Sequence, residues 1–333
     1  MSDAPLWLTE ADVTQSMDLG AAIDALERVL SVTGEGAGET MGKTHLMVGD
    51  NDVLQAIGGS VPSEGICGAK TWVNVGGKSQ TVLILFSLSD GALKCVVEAT
   101  ALGQMRTAAM TGLGTKFLCA GGAAEMAIIG TGKQALPQIA ACLAVRPIKK
   151  VRIFSRSAER REALAAAAEA AFPGLEATAA ASLEEAADGV PLITLCTNAT
   201  EAFFGSSLAA KGTHINAIGA IVPGRVEFTE DIFPRCTMIA VDTVDGVRQL
   251  SREFMDYFGA GKENWDKVVP ISAVMSESRR RPEDADLTLF KAMGMGLADL
   301  AVAIEVLKRN VGADGAHRLP ERIKKHLPLD QEK

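Results

Sequence analysis

Residues 126–245 alternate short apolar runs with helical stretches. "MAIIG" (126–130) is an apolar run ending in glycine, and residues 133–145 carry helix formers with an apolar stripe. "KVRIFSR" (150–156), "PLITLCT" (191–197), "THINAIG" (213–219) and "TMIAVDT" (237–243) read as further buried strands. "SAERREALAAAAEAAFPG" (157–174) reads as a helix, opened by a serine cap and closed at Pro-Gly. The Ala-rich tract 162–187 continues that helix into a short strand and a second helix. Such alternation predicts a parallel sheet covered by helices.

Residues 1–118 have a different rhythm. A short helix is expected at 18–33. Strand-like runs follow: "GKTHLMVG", "DVLQAIGGS", "GAKTWVNV", "TVLILFSLS" and "ALKCVVEA", with Gly, Asn, Asp and Ser in the turns between them. This predicts a mainly antiparallel unit. "QMRTAAMTGLGTKFL" (104–118) reads as a helix leading into the alternating region. "TLFKAMGMGLADLAVAIEVLKR" (288–309) has helical apolar spacing and is expected to pack back on the first unit. No internal repeat is visible.

Length and composition narrow the class. A chain of 333 residues suggests two domains. Apolar content of 47% with 22% charged residues describes a globular protein, and a net charge of −8 argues against a nucleic-acid partner. No apolar run reaches the about 18 residues needed to span a bilayer. The start, "MSDAPLWLTEADV", has neither a basic opening nor an apolar core, so a cytoplasmic protein is expected. The six cysteines form no CxxC pair, and the four histidines show no ligand spacing with them, so no metal is expected.

The chemistry begins at Gly130-Thr131-Gly132-Lys133-Gln134-Ala135. This is a GxGxxA turn between a strand and a helix, with another strand at 150. Its glycines permit a tight turn and close approach of backbone to a pyrophosphate, at the positive end of a helix. The end of the following strand distinguishes the dinucleotides. An acid there would bond a ribose 2′-OH. This chain instead has Ser155, Arg156 and Ser157, followed by Arg160 and Arg161. Serines and a guanidinium suit a 2′-phosphate, which favours NADP(H) and leaves NAD(H) open.

Several segments together resemble the ornithine cyclodeaminase/mu-crystallin family. They are "GAKTWVN" (68–74), "RTAAMTGLGTKFL" (106–118), "MAIIGTGKQA" (126–135), "HINAIGA" (214–220) and "LFKAMGMGLADLA" (289–301). They occur in the family's order and cover nearly the whole chain. The resemblance implies an α/β protein with a Rossmann doubly wound parallel sheet, residues 119–299. That sheet would be inserted in an α+β, mainly antiparallel, substrate-binding and dimerisation domain of residues 1–118 plus 300–333. It also implies a homodimer, with substrate held between the domains against the nicotinamide.

Residue roles follow from the same resemblance. Lys70 matches a lysine that reaches a substrate carboxylate and takes part in proton transfer. Arg106 matches a residue at both substrate and cofactor. Lys43 stands where many members have a carboxylate-binding arginine. Thr81 matches a cofactor-contacting threonine, Lys133 and Gln134 follow the glycine turn, and Thr197 ends the fourth strand. Ala217 and Ile218 would line the nicotinamide side, Arg225 follows "VPG", and Ala292 and Met293 would lie near the ring. Lys43, Lys70 and Arg106 would then converge in an acidic chain, which suits an amino- or imino-acid carboxylate. Crowding of like charges lowers a lysine's pKa and favours Lys70 as a proton donor near neutral pH.

The departures from the family pattern redirect the chemistry. Cyclodeaminases carry an aspartate shortly after "HINA", where this chain has Ile221. Isoleucine cannot accept a proton or hold an ammonium ion. Gly103 stands where many members have threonine. The surviving chemistry is hydride transfer to a preformed C=N bond, over an apolar floor of Ile221 and Met293 that suits a cyclic or alkyl imine. The expected activity is thus reduction of a small 2-imino acid by NAD(P)H. A cyclodeaminase using catalytic NAD, and a non-catalytic NADP-dependent binding protein of the mu-crystallin kind, are the alternatives.

Overall fold

The structure, a computed structural model, describes residues 4–49, 52–259, 265–276, 281–313 and 317–320. The chain opens with β1 (Leu6–Leu8), α1 (Glu10–Ser16) and α2 (Leu19–Leu30). Neither β1 nor α1 is foreseen by the hydrophobic pattern. A Thr9–Asp12 capping box starts α1, and Asp18 caps α2 by accepting from the Ala21 N–H. Five long or medium strands follow: β2 (Glu39–Val48), β3 (Asp52–Val61), β4 (Ile66–Val75), β5 (Lys78–Ser87) and β6 (Leu93–Glu98). They form an antiparallel meander, with β1 added parallel to β6.

Helix α3 (Thr100–Leu118) joins this unit to the second sheet. Its C-terminal half is buried nearly all round, as for a helix clamped between two layers. Two glycines make that possible. A Cβ on Gly112 would stand 2.4 Å from Ile23 of α2, and one on Gly114 would stand 2.5 Å from the Phe290 ring.

The second unit runs β7 (Glu125–Ile129), α4 (Ala135–Val145), β8 (Lys150–Phe154), α5 (Ala158–Ala171), β9 (Glu176–Ala179), α6 (Leu183–Ala187), β10 (Leu192–Leu195) and β11 (Thr213–Ala217). It continues with β12 (Cys236–Val241), α7 (Val244–Leu250), α8 (Arg252–Phe258), β13 (Val268–Pro270), α9 (Ile271–Ser276) and β14 (Leu287–Lys291). The eight strands are parallel, in the order β13-β12-β14-β11-β10-β7-β8-β9. The order reverses beside β7, so the turn after β7 and the loop after β10 flank the switch point where doubly wound sheets bind ligands.

One sequence expectation is overturned here. The 288–309 stretch is not helical throughout, because β14 lies within the parallel sheet between β11 and β12. All five of its residues are buried. A strand covered on both faces shows no alternation, so periodicity cannot separate it from a buried helix. The chain then turns at Gly294, with φ +93°, into α10 (Gly296–Asn310), which packs on α2, β3 and β4. The boundary expected between 299 and 300 therefore falls inside α10. The two-residue β15 (His317–Arg318) pairs with β1 and completes a seven-stranded sheet. Residues 321–333, expected to belong to the first domain, lie outside the described residues.

Candidate active site

A cavity of about 1310 Å³ lies between the antiparallel unit and the C-terminal ends of the parallel strands. Strand register explains its first wall. Gln55 and Ile57 of β3 pair with Trp72 and Lys70 of β4, and these pair with Thr81 and Leu83 of β5. Residues two apart share a face, so Gln55, Ile57, Lys70, Trp72, Asn74 and Thr81 all front the cavity. Lys43 reaches the same space from β2. It sits where the β2–β3 register slips between Met41 and Thr44, an irregularity of the kind that re-aims a side chain.

Arg106 enters from α3 and brings the cations together. Lys70 donates to Asp299 Oδ1 at 2.6 Å, and Arg106 donates to the same oxygen through Nε at 3.0 Å. The Lys70 ammonium also lies 4.9 Å from the Trp72 ring centre, with Lys43 at 5.9 Å from it. Burial, then Arg106, pull the Lys70 pKa down to about 8 against the opposing pull of Asp299. Burial and Arg106 lower Lys43 as well. Asp299 was missed in the sequence. Its only trace is a lone acid in the apolar run "GLADLAVA", where a charge needs a partner.

The second wall is the glycine turn. Gly130 has φ +119°, and a Cβ there would stand 2.7 Å from the Cys196 carbonyl, so no other residue fits. Gly132 has open space where a Cβ would be. Together with Thr131, Lys133 and Gln134 these residues front the cavity at the start of α4. The Gln134 side-chain oxygen is buried without a hydrogen-bond partner among the described residues. This open backbone cradle at a helix N-terminus fits a dinucleotide pyrophosphate.

Ser155, Arg156, Ser157 and Arg160 border the same cavity. The serines differ from expectation in detail. Ser155 donates its hydroxyl to the Ser157 carbonyl at 3.0 Å, and Ser157 Oγ caps α5 by accepting from the Arg160 N–H at 3.3 Å. Arg161 donates to the Ser155 carbonyl. The guanidiniums of Arg156 and Arg160 have no protein hydrogen bond among the described residues, so their donors are left for a ligand, and Arg161 adds its charge beside them.

Between the two walls lies the loop system after β10, β11 and β14. Thr197, Ile218, Ile221, Arg225, Ala292 and Met293 all border the cavity, as does Gly103, where a Cβ would meet nothing. Ala217 does not border it. Its side chain is fully buried in β11, and Ile218 presents the face expected of both. Arg225 donates to the Asn198 carbonyl. Two buried acids unseen in the sequence hold these loops. Glu227 accepts from the N–H groups of Thr197, Gly219 and Ala220 and from the Thr197 hydroxyl. Asp242 accepts from the N–H groups of Thr243, Met293 and Gly294. Burial raises the pKa of both, opposed by Lys291 for Glu227 and by the N–H donors for Asp242.

No group of three or more His, Cys, Asp or Glu among the described residues could hold a metal ion. No helix among them is long and apolar enough to cross a membrane.

Comparison with known proteins matches this architecture. The chain is 30% identical over 224 residues to a Δ1-pyrroline-2-carboxylate reductase of Bacillus cereus, covering 67% of this chain and 68% of that one. It is 29% identical over 225 residues to the ketimine reductase mu-crystallin of Rattus norvegicus, covering 67% of each. Among solved structures, that of Thermococcus litoralis Δ1-pyrroline-2-carboxylate reductase with NADH and L-proline superposes with a TM-score of 0.85 at 21% identity, covering 92% of this chain and 97% of that one. The iminosuccinate reductase of Paracoccus denitrificans with NAD⁺ gives 0.86 at 24% identity and the same coverage. A model of the ornithine cyclodeaminase/mu-crystallin family matches residues 4–314, and the chain belongs to that family.

Proposed function

We propose that this protein is an NAD(P)H-dependent reductase of small 2-imino acids. One observation carries the reading: a single cavity joins Lys43, Lys70 and Arg106 to the Gly130–Gln134 turn. A carboxylate held by the cations would place the adjacent C=N carbon beside the nicotinamide end of the cavity. Relatives at about 30% identity bear the names of pyrroline-2-carboxylate and ketimine reductases, which supports the same reaction class.

The bound reduced nicotinamide supplies the hydride. The chain's residues do the rest. Arg106 is held by its Nε, which leaves both η-nitrogens for a bidentate grip on the carboxylate. Lys43 adds a second charge from β2. Lys70, with its pKa drawn to about 8, retains a proton at neutral pH and gives it up readily to the imine nitrogen. Ile221 and Met293 offer apolar surface to the rest of the substrate. Ile221 supplies no carboxylate to activate an amine, which speaks against cyclodeamination.

Arg156 and Arg160 make NADPH the preferred reductant, since together they would face a 2′-phosphate and β8 does not end in an acid. The working unit is a homodimer. Met41, Leu46, Val48, Leu54 and Val75 leave an apolar face exposed on strands β2 to β4 of the antiparallel sheet, and Met47 exposes a further apolar side chain on the other face of β2.

The reading is tested by following NADPH and NADH oxidation against Δ1-pyrroline-2-carboxylate and against 2-keto acids mixed with ammonia or methylamine. It expects stoichiometric amino-acid formation with at least one imine. Absence of turnover across the panel, with NADPH still bound, would transfer the protein to the non-catalytic binding class.

A further inference from the structure

A single carboxylate oxygen serves both principal cations of the site. Asp299 Oδ1 accepts from Lys70 Nζ and from Arg106 Nε, while its Oδ2 is buried and has no hydrogen-bond partner among the described residues. Asp299 lies in the first turn of α10, where the helix dipole favours a negative charge. Its buried neighbours on α10 are apolar, including Leu297, Ala298, Leu300 and Ala301. A carboxylate buried in such a place costs stability unless cations pair with it, as Lys70 and Arg106 do here. Its seat is close-packed: a Cβ on Gly296, at the start of the same helix, would stand 1.9 Å from the Gly58 carbonyl of β3. The backbone thus fixes Asp299 relative to β4, which carries Lys70.

We propose that Asp299 is the positioning residue of the active site, holding Lys70 as the charged proton donor on the cavity wall and turning Arg106 so that its η-nitrogens face the substrate carboxylate. This assignment rests on the reductase reading above. Lys70 is faced by Lys43 from β2, Arg106 from α3 and Asp299 from α10, with the Trp72 ring beside it on its own strand. Asp242, at the end of β12, acts on Arg106. Without the Asp299 charge, Lys70 is left against two cations and loses its proton more easily. During reduction, as hydride adds to the imine carbon, an N–H bond of the Lys70 ammonium breaks and the proton forms the new N–H of the product amine. Lys70 becomes a neutral amine, and a solvent proton restores the ammonium.

The test compares Asp299→Asn with the unaltered protein, using two readouts. The first is the titration of Lys70 itself, without substrate, by trace acetylation over a pH series and peptide mass spectrometry. The unaltered protein is expected to show a midpoint near 8. The variant's midpoint should lie about one to two pH units lower. An unchanged midpoint overturns the proposal whether or not any imine is reduced. The second readout uses NADPH and Δ1-pyrroline-2-carboxylate. The alkaline limb of kcat should move to lower pH while KM for the imine changes little, because the amide oxygen can still accept from Arg106 Nε and keep it turned to the carboxylate. With L-proline and NADP⁺ the rate near neutral pH should increase, since oxidation needs the uncharged lysine. A raised KM with unshifted limbs would assign Asp299 to packing alone and overturn the proposal. Asp299→Ser, read the same way, serves if the asparagine variant fails to unfold cooperatively or to bind NADPH. If the unaltered protein reduces no imine, the proposed function fails, and the Lys70 titration still decides the role of Asp299.

Discussion

Glu227 and Thr197 are joined twice: one carboxylate oxygen accepts from the Thr197 N–H at 2.6 Å and from its hydroxyl at 2.9 Å. The other oxygen accepts from Gly219 and Ala220 at 2.8 and 3.1 Å. One buried acid therefore clamps the loops after β10 and β11, which meet so closely that a Cβ on Gly219 would stand 2.0 Å from the Thr197 carbonyl. Behind it lie buried Lys291 and Glu253, 3.6 Å apart.

Replacing Glu227 by Ala should orphan four donors and unbalance Lys291. The expected cost is about 3–5 kcal/mol of stability, from urea unfolding. Glu227→Gln should cost less but still raise the KM for the nucleotide, because its NH₂ group faces N–H donors. A loss within about 0.5 kcal/mol for both variants would show that the loops hold without the clamp.

Cofactor choice should reside in guanidinium groups rather than hydroxyls. Arg156→Ala is expected to raise KM for NADPH roughly ten- to a hundredfold with little change for NADH, one charged hydrogen bond being worth about 1.5–3 kcal/mol. Ser155→Ala should do far less, since that hydroxyl already bonds the Ser157 carbonyl. Equal effects of Arg156→Ala on both cofactors, or an unaltered protein that prefers NADH, contradict the assignment.

The exposed apolar residues of β2 predict assembly. Leu46 and Met47 are 62% and 53% exposed in the single chain. Light scattering should give a dimer of about twice 34.9 kDa, and Leu46→Lys combined with Met47→Lys should shift it toward monomer. A monomer at micromolar concentration in the unaltered protein would refute the dimer.

Ornithine should yield neither proline nor ammonia with either nucleotide, because Ile221 offers no carboxylate. Proline production from ornithine would mean that another acid, such as Asp242 at the cavity wall, does the work expected of the family aspartate.

Much of this site was legible along the chain, and the unread parts share a cause. The GxGxxA turn is local: strand, glycines and helix lie within about twenty consecutive residues, and each obeys a short-range rule. Lys70 and Arg106 were visible only because they sit in motifs that resemble a family. Asp299 meets Lys70 across 229 positions, and no local pattern reports a partner so far away. Glu227 and Asp242 were hidden likewise, since their partners are backbone N–H groups that every residue possesses. Strand β14 was misread because burial on both faces erases the period that would have marked it. Ser155 and Ser157 border the cavity, yet their hydroxyls turn to the local backbone, a choice settled by the start of α5.

The central claim is that Lys70, beside a carboxylate grip and a nucleotide cradle, drives imine reduction. The most direct measurement incubates NADPH with Δ1-pyrroline-2-carboxylate and follows NADPH loss and proline gain together, for the unaltered protein and for Lys70→Met, with NADPH binding measured separately by fluorescence. The account predicts one proline per NADPH consumed, a fall in kcat of about a hundredfold or more in the variant, as befits loss of a proton donor, and unchanged NADPH binding, since Lys70 lies on β4 and the glycine turn on the other sheet. Full activity in Lys70→Met, or NADPH loss without proline, would contradict it.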